Sequence, residues 1–139
     1  MGTEIDRNKT ILIIEDEADL RVFASRLLKL EGYAVIAAAD GEDGLTRLRE
    51  NEVDLVLLDL RLPGRDGWSV LSEIKRDRRL GSTPVIIFSA SVASPQYRKA
   101  YAMGATDYLT KPLSAAMLRR RISRALNHPK AFRESSRRI

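Results

Sequence analysis

Five short apolar runs punctuate the chain: Ile11 to Ile14, Ala34 to Ala39, Val53 to Leu58, Val85 to Phe88 and the weaker Tyr108 to Leu109. Each has strand length, and Ile, Val and Leu follow one another without polar alternation, the pattern of parallel strands buried on both faces. Helical spacing fills the intervals. Leu20, Ala24, Leu27 and Leu30 form a stripe that stops at Gly32, a residue suited to the left-handed turn past a helix end. Gly44 to Glu50 predicts a short second helix, and Trp68 to Arg78 a third with Val70, Leu71 and Ile74 inward. Ser94-Pro95 opens a fourth as N-cap and first helical residue, and Gly104 follows its end. The fifth runs from about Ser114 to Leu126, with Leu118, Ile122 and Ala125 on one face and Pro129 beyond it. Strand and helix alternating five times predict an α/β fold, a doubly wound five-stranded parallel sheet with right-handed crossovers and helices on both faces. The usual strand order, 2-1-3-4-5, reverses direction between the first and third strands, and ligands bind at that switch point, outside the carboxyl ends of the strands.

A length of 139 residues allows one domain. We expect an N-terminal extension at 1–8, a domain at 9–127 and a basic tail or start of a linker at 128–139. At 44% hydrophobic and 31% charged, the composition is that of a globular protein rather than a disordered one. No apolar run reaches membrane-span length and the N-terminus lacks the apolar core of a secretory signal, so a cytoplasmic location is expected. Zero cysteines exclude disulfides and thiolate chemistry, and the single histidine, His128, leaves no histidine metal cluster. Any catalysis must run on carboxylates, lysine or hydroxyls. The net charge of +5 would raise the question of nucleic acid, but Lys130, Arg133, Arg137 and Arg138 against Glu134 put +3 of it in the tail. Nucleic-acid binding by the domain itself is not expected.

The residues at the strand ends carry the candidate chemistry. Glu15 and Asp16 follow the first run and Asp59 the third, with Ser89 after the fourth and Lys111 after the fifth. At an assumed ~5 Å and effective dielectric of ~20, each pair of such carboxylates repels by on the order of 3 kcal/mol, so a positive charge must sit among them. Without histidine or cysteine ligands, a hard oxygen-seeking cation such as Mg²⁺ is the natural guess, with Lys111 a second candidate. Acids after strands also serve as helix caps, and Asp16 or Asp19 could cap the first helix and Asp66 the third. A carboxylate beside Mg²⁺, a hydroxyl and a lysine can attack a phosphoryl group, giving an acyl phosphate.

With Ile13-Ile14-Glu15-Asp16-Glu17, Asp59-Leu60-Arg61-Leu62-Pro63-Gly64-Arg65-Asp66-Gly67, Ser89-Ala90 and Asp107-Tyr108-Leu109-Thr110-Lys111-Pro112 in this order, the sequence resembles the receiver domains of bacterial two-component response regulators over about residues 9–127. The resemblance implies the flavodoxin-like receiver fold and a phosphorylation-dependent signalling switch. In it, Asp59 accepts a phosphoryl group from a histidine kinase or phosphotransfer protein. Asp16 binds Mg²⁺ directly, Glu15 through water, and Asp59 and the Arg61 backbone carbonyl complete the metal set. Lys111 pairs with a phosphoryl oxygen and its bond to Pro112 is cis. Ser89 and Tyr108 are the switch pair, the hydroxyl moving to the phosphoryl group and the ring swinging inward. The fourth helix, fifth strand and fifth helix form the face read by a downstream protein or output domain, with dimerisation on phosphorylation a further expectation.

Departures from the family pattern are informative. Glu15 replaces the more usual aspartate, and Arg65 is more polar than the usual loop residue. Arg61 and Ser91 stand at the two positions the family varies to tune phosphoryl loss, and a cation at 61 is expected to slow hydrolysis. Arg119, Arg120, Arg121 and Arg124 on the fifth helix have no acidic residue among them, so a mixed-charge dimer interface is not carried over. Tyr97, Tyr101 and Met103 suit either partner binding or ordinary packing, and Trp68 suits packing. Other readings are a Mg²⁺-dependent phosphohydrolase using an Asp nucleophile, which wants an acid where Arg61 stands, and a receiver-like module that binds partners without phosphorylation, which has no need of the full residue set. A nucleotide or flavin binder is disfavoured because no glycine-rich phosphate motif is present. A turnover enzyme on external substrates is not expected.

Overall fold

The structure, a computed structural model, describes residues 9–90 and 94–127. The expected extension and tail, with His128 and Pro129, and also Ser91, lie outside the described residues. Five strands, β1 (Thr10–Ile14), β2 (Ala34–Ala38), β3 (Leu55–Asp59), β4 (Val85–Ser89) and β5 (Asp107–Thr110), form one parallel sheet in the order β2-β1-β3-β4-β5. Helices α1 (Ala18–Leu30), α2 (Gly41–Glu50), α3 (Gly67–Arg76), α4 (Ser94–Ala102) and α5 (Ala115–Asn127) alternate with them. This is the predicted topology, with its switch point between β1 and β3.

Successive strand residues face opposite sides, and each side meets its own helices. Leu12, Ile14, Val56 and Leu58 pack with Leu45 of α2, Leu71 of α3 and Ala100 of α4. Ile11, Ile13, Leu55 and Leu57 pack with Leu28 of α1 and Leu118 and Ile122 of α5. Burial on both faces explains the unbroken apolar runs. β2, at one edge, is the least buried of the strands.

Several boundaries move, for local reasons. β3 begins at Leu55 rather than Val53, because the Asp54 carboxylate instead accepts the Thr10 amide at 2.8 Å. α2 begins at Gly41 rather than Gly44, since Asp40 caps it by accepting from the Asp43 amide at 2.8 Å. Gly44 is interior to that helix, where a Cβ would lie 2.5 Å from Ile14 Cδ1, so a glycine lets α2 approach β1. α3 ends at Arg76 rather than Arg78, because Asp77 accepts from the amides of Arg79 and Leu80. The α1 stripe is corrected at one position: Leu30 is 83% exposed, and Leu28, four residues past Ala24, is the buried residue. Neither Asp16 nor Asp19 caps α1; Glu17 stands at the N-cap and makes no side-chain cap bond. Asp66 caps α3 as expected, accepting from Ser69 N at 2.9 Å. Gly32 and Gly104 take the left-handed conformation (φ 96° and 101°) at the helix ends where they were anticipated.

Candidate functional site

The sheet delivers four of the five candidate residues to one edge of the switch point. Ile14 is in register with Leu58, so Glu15 and Asp59 emerge side by side from β1 and β3. Carboxylate oxygens of Glu15, Asp16 and Asp59 lie within 4.8 Å of one another. Glu15 and Asp59 are buried, whereas Asp16 is exposed at the rim. Lys111, just past β5, sends its ammonium between the two buried acids, 2.9 Å from Glu15 Oε1 and 3.1 Å from Asp59 Oδ2. The positive charge demanded by the acid cluster is therefore supplied in part by the chain itself.

Backbone and neighbouring side chains fix these groups. The Lys111 amide donates to the Ser89 carbonyl at 2.9 Å, extending the β4–β5 pairing by one residue, and the Lys111-Pro112 bond is cis. Ser89 is buried at the end of β4, one residue past Phe88, which faces Asp59 across the strand pair. The Arg61 amide donates to Asp59 Oδ1 at 3.0 Å, while the Arg61 residue itself is exposed. Glu17 N donates to Glu15 Oε2 at 3.0 Å. Arg21, one turn into α1, was not singled out from sequence; its guanidinium donates to the backbone carbonyls of Glu15 (2.8 Å) and Asp16 (3.2 Å). A cation one helical turn beyond an acidic loop was the signal for it. Tyr108 is buried in the core with its ring 5.7 Å from that of Tyr97 on α4.

Burial dominates the electrostatics. It pushes the Glu15 carboxyl up to about 7, the neighbouring Asp59 adding to the rise while the Glu17 amide and Lys111 oppose it. Burial would lower Lys111, but its close contacts with the Glu15 and Asp59 carboxylates outweigh it and hold the ammonium above its ordinary value. Glu15 Oε1 touches the ammonium without an aligned hydrogen bond, leaving a buried oxygen with unused acceptor capacity. An all-carboxylate set with such an oxygen fits a hard metal cation. A buried Asp59 carboxylate, an acid cluster that could hold a metal ion and a fixed ammonium are arranged as phosphoryl transfer to a carboxylate would require.

Comparisons with known proteins bear on the family and the fold. The chain is 38% identical over 117 residues to the transcriptional regulatory protein AfsQ1 of Streptomyces coelicolor, covering 84% of this chain and 51% of that protein. It is 32% identical over 126 residues to the probable transcriptional regulator ycf27 of Guillardia theta, covering 91% and 48% respectively. The chain thus spans about half the length of the curated relatives it matches. Among solved structures, the receiver domain of the Francisella response regulator 1452 superposes with a TM-score of 0.82 at 28% identity, over 88% of this chain and all of that one. A response regulator receiver domain protein from Clostridium thermocellum does so with a TM-score of 0.80 at 31% identity, over 88% and 98%. Residues 11–123 match the family described as the response regulator receiver domain, and the chain belongs to that family.

Proposed function

We infer that residues 9–127 form a phosphorylation-controlled switch in which Asp59 is the acceptor. The observation that carries this reading is the Lys111 ammonium held between Glu15 and Asp59, with Asp16 completing an acid cluster within 4.8 Å. Glu15, Asp16, Asp59 and the Arg61 backbone carbonyl would hold Mg²⁺. Bound there, the ion would neutralise charge on the transferring phosphoryl oxygens. An Asp59 carboxylate oxygen attacks the phosphorus of a phosphohistidine on a histidine kinase or phosphotransfer protein. As the O–P bond forms, the P–N bond breaks and its electron pair leaves with the imidazole. Lys111 balances charge on the phosphoryl group, and the Ser89 hydroxyl donates to one of its oxygens.

The acyl phosphate exchanges about one negative charge for about two and adds strong acceptors. Drawing Ser89 and Lys111 toward it moves the ends of β4 and β5, and Tyr108 and α4 respond. The face formed by α4, β5 and α5 would then be read by an output domain or partner protein, or by a second phosphorylated copy, in the cytoplasm. The chain accelerates its own phosphorylation and hydrolysis and turns over no external substrate. Arg61, exposed beside Asp59, slows hydrolysis by obstructing water or holding a phosphoryl oxygen; phosphoryl half-life in Arg61→Ala should be shorter than in wild type, and an equal or longer one removes this role. The central test is intact mass after incubation with acetyl phosphate and Mg²⁺. One phosphoryl adduct, absent in Asp59→Asn, is expected; an unmodified wild-type chain, or steady release of alcohol from phosphate esters, would overturn the reading.

A further inference from the structure

The β3–α3 loop, residues 60–66, carries the Arg61 backbone beside Asp59, and the chain holds this loop where its ends meet and again just before α3. At its ends, the Gly67 amide donates to the Leu60 carbonyl at 2.9 Å, and Gly67 lies so close that a Cβ would be 2.4 Å from the Asp59 carbonyl oxygen. Just before α3 stands Arg65. Its Nε donates to Ser69 Oγ at 2.8 Å, one terminal nitrogen to Glu42 Oε1 at 3.0 Å, and the other to Glu73 Oε1. The second Glu73 oxygen accepts from Arg49, which closes the chain of charges back onto α2. The backbone carbonyl of Arg65 abuts the first turn of α2, 3.2 Å from where a Cβ on Gly41 would stand.

A planar guanidinium spreads its donors over three nitrogens and so reaches Ser69 and Glu73 on α3 and Glu42 on α2 at once, whereas the donors of an ammonium share a single nitrogen. Pairing with Arg65 first, and Arg49 second, holds the Glu73 carboxyl below its ordinary value, so the network stays ionised through neutral pH. Ion pairs this exposed add little to global stability. Their effect is on where the loop sits. We propose that Arg65 is a positioning residue for the phosphoryl and metal site: by tying the β3–α3 loop to α2 through Glu42 and to α3 through Ser69 and Glu73, it holds the Arg61 amide and carbonyl at the Asp59 carboxylate. The metal half of this statement rests on the function proposed above.

The test uses the full chain as wild type, Arg65→Met and Arg65→Lys, with Glu73→Gln as a second background. Amide hydrogen exchange of residues 61–66 is followed in metal-free protein, and Mg²⁺ affinity is measured by calorimetry. In Arg65→Met the loop amides should exchange about tenfold faster and the Mg²⁺ dissociation constant should rise about threefold to tenfold, with Tm close to wild type. Arg65→Lys, which keeps the charge but has all its donors on one nitrogen, should fall between. In the Glu73→Gln background the effect of Arg65→Met should shrink. Unchanged loop exchange and Mg²⁺ affinity in Arg65→Met would overturn the proposal. So would a loss that merely follows a fall in Tm and is not relieved by lysine. If Mg²⁺ binding responds as expected but no variant accepts phosphate from acetyl phosphate, the phosphoryl reading fails while the positioning role stands; a wild-type chain that binds no Mg²⁺ overturns both.

Discussion

With its side chain wholly buried, the Glu15 carboxyl exchanges water for one ammonium, one amide and a neighbouring acid, and that exchange makes its protonation a stability term. Its folded value, about 7, lies above the 4.5 of an ordinary glutamate, so the folded chain binds the extra proton. Metal-free protein should therefore be most favoured below about pH 4.5 by this group and lose that contribution, up to about 3 kcal/mol, as pH rises through 7. Urea unfolding in EDTA checks it: Glu15→Gln should be more stable than wild type at pH 8 and close to it at pH 5. A wild-type advantage at pH 8 would show that the Lys111 pair outweighs burial. The presence of these acids was legible in the sequence because strand ends in a doubly wound sheet converge. Which of them loses water was not, since Glu15 and Asp16 are chain neighbours with opposite exposure.

Elements were legible wherever period and punctuation agreed, and misjudged where side-chain bonds to the backbone set a boundary. Asp40, Asp54 and Asp77 each divert an amide that an apolar run alone cannot foresee. Within α1, a helical stripe can be drawn through Leu27 to Leu30 or to Leu28, and only the direction of the sheet chooses. Leu28→Ala should cost about 2–5 kcal/mol by chemical denaturation, as for a buried leucine, whereas Leu30→Ala should stay within about 0.5 kcal/mol of wild type. At the start of α3, Gly67→Ala would place its Cβ 2.4 Å from the Asp59 carbonyl oxygen and 2.5 Å from Leu60 Cα. Both are backbone atoms without a rotamer to yield, so a loss of about 1–3 kcal/mol is expected, together with weaker phosphorylation because Asp59 itself is displaced.

Across the whole molecule, Asp107 joins the elements of the proposed output face. Buried at the start of β5, it accepts both 2.8 and 2.9 Å bonds from one Arg121 nitrogen on α5, one from the Tyr101 hydroxyl on α4, and one from the Tyr108 amide. Nothing in the local sequence paired Asp107 with Arg121, which stood among four arginines on a helix without acids. Removing the guanidinium leaves a buried carboxylate with only neutral donors. Arg121→Ala should cost on the order of 2–4 kcal/mol, reduced from a fully buried pair because Arg121 is partly exposed. Asp107→Asn, which keeps an oxygen for Tyr101 and Tyr108, should cost less. Thermal unfolding of the two variants at equal pH gives the comparison, and a reversed order would show that the ion pair does not hold the face together.

The order of apolar runs and helical stripes was sufficient to determine a parallel sheet wound in the order 2-1-3-4-5, because unalternated Ile, Val and Leu have to be covered on both sides and short connections leave few ways to do so. Motif residues at the strand ends likewise pointed to Glu15, Asp16, Asp59 and Lys111, which do meet. Tertiary structure alone decided their surroundings: the burial that raises Glu15, the placing of Lys111 between two acids, and the reach of Arg21, Arg65 and Arg121 to partners on other elements. Long, flexible cations are the residues whose partners sequence cannot name, since several carboxylates lie within their span and only packing fixes the distance.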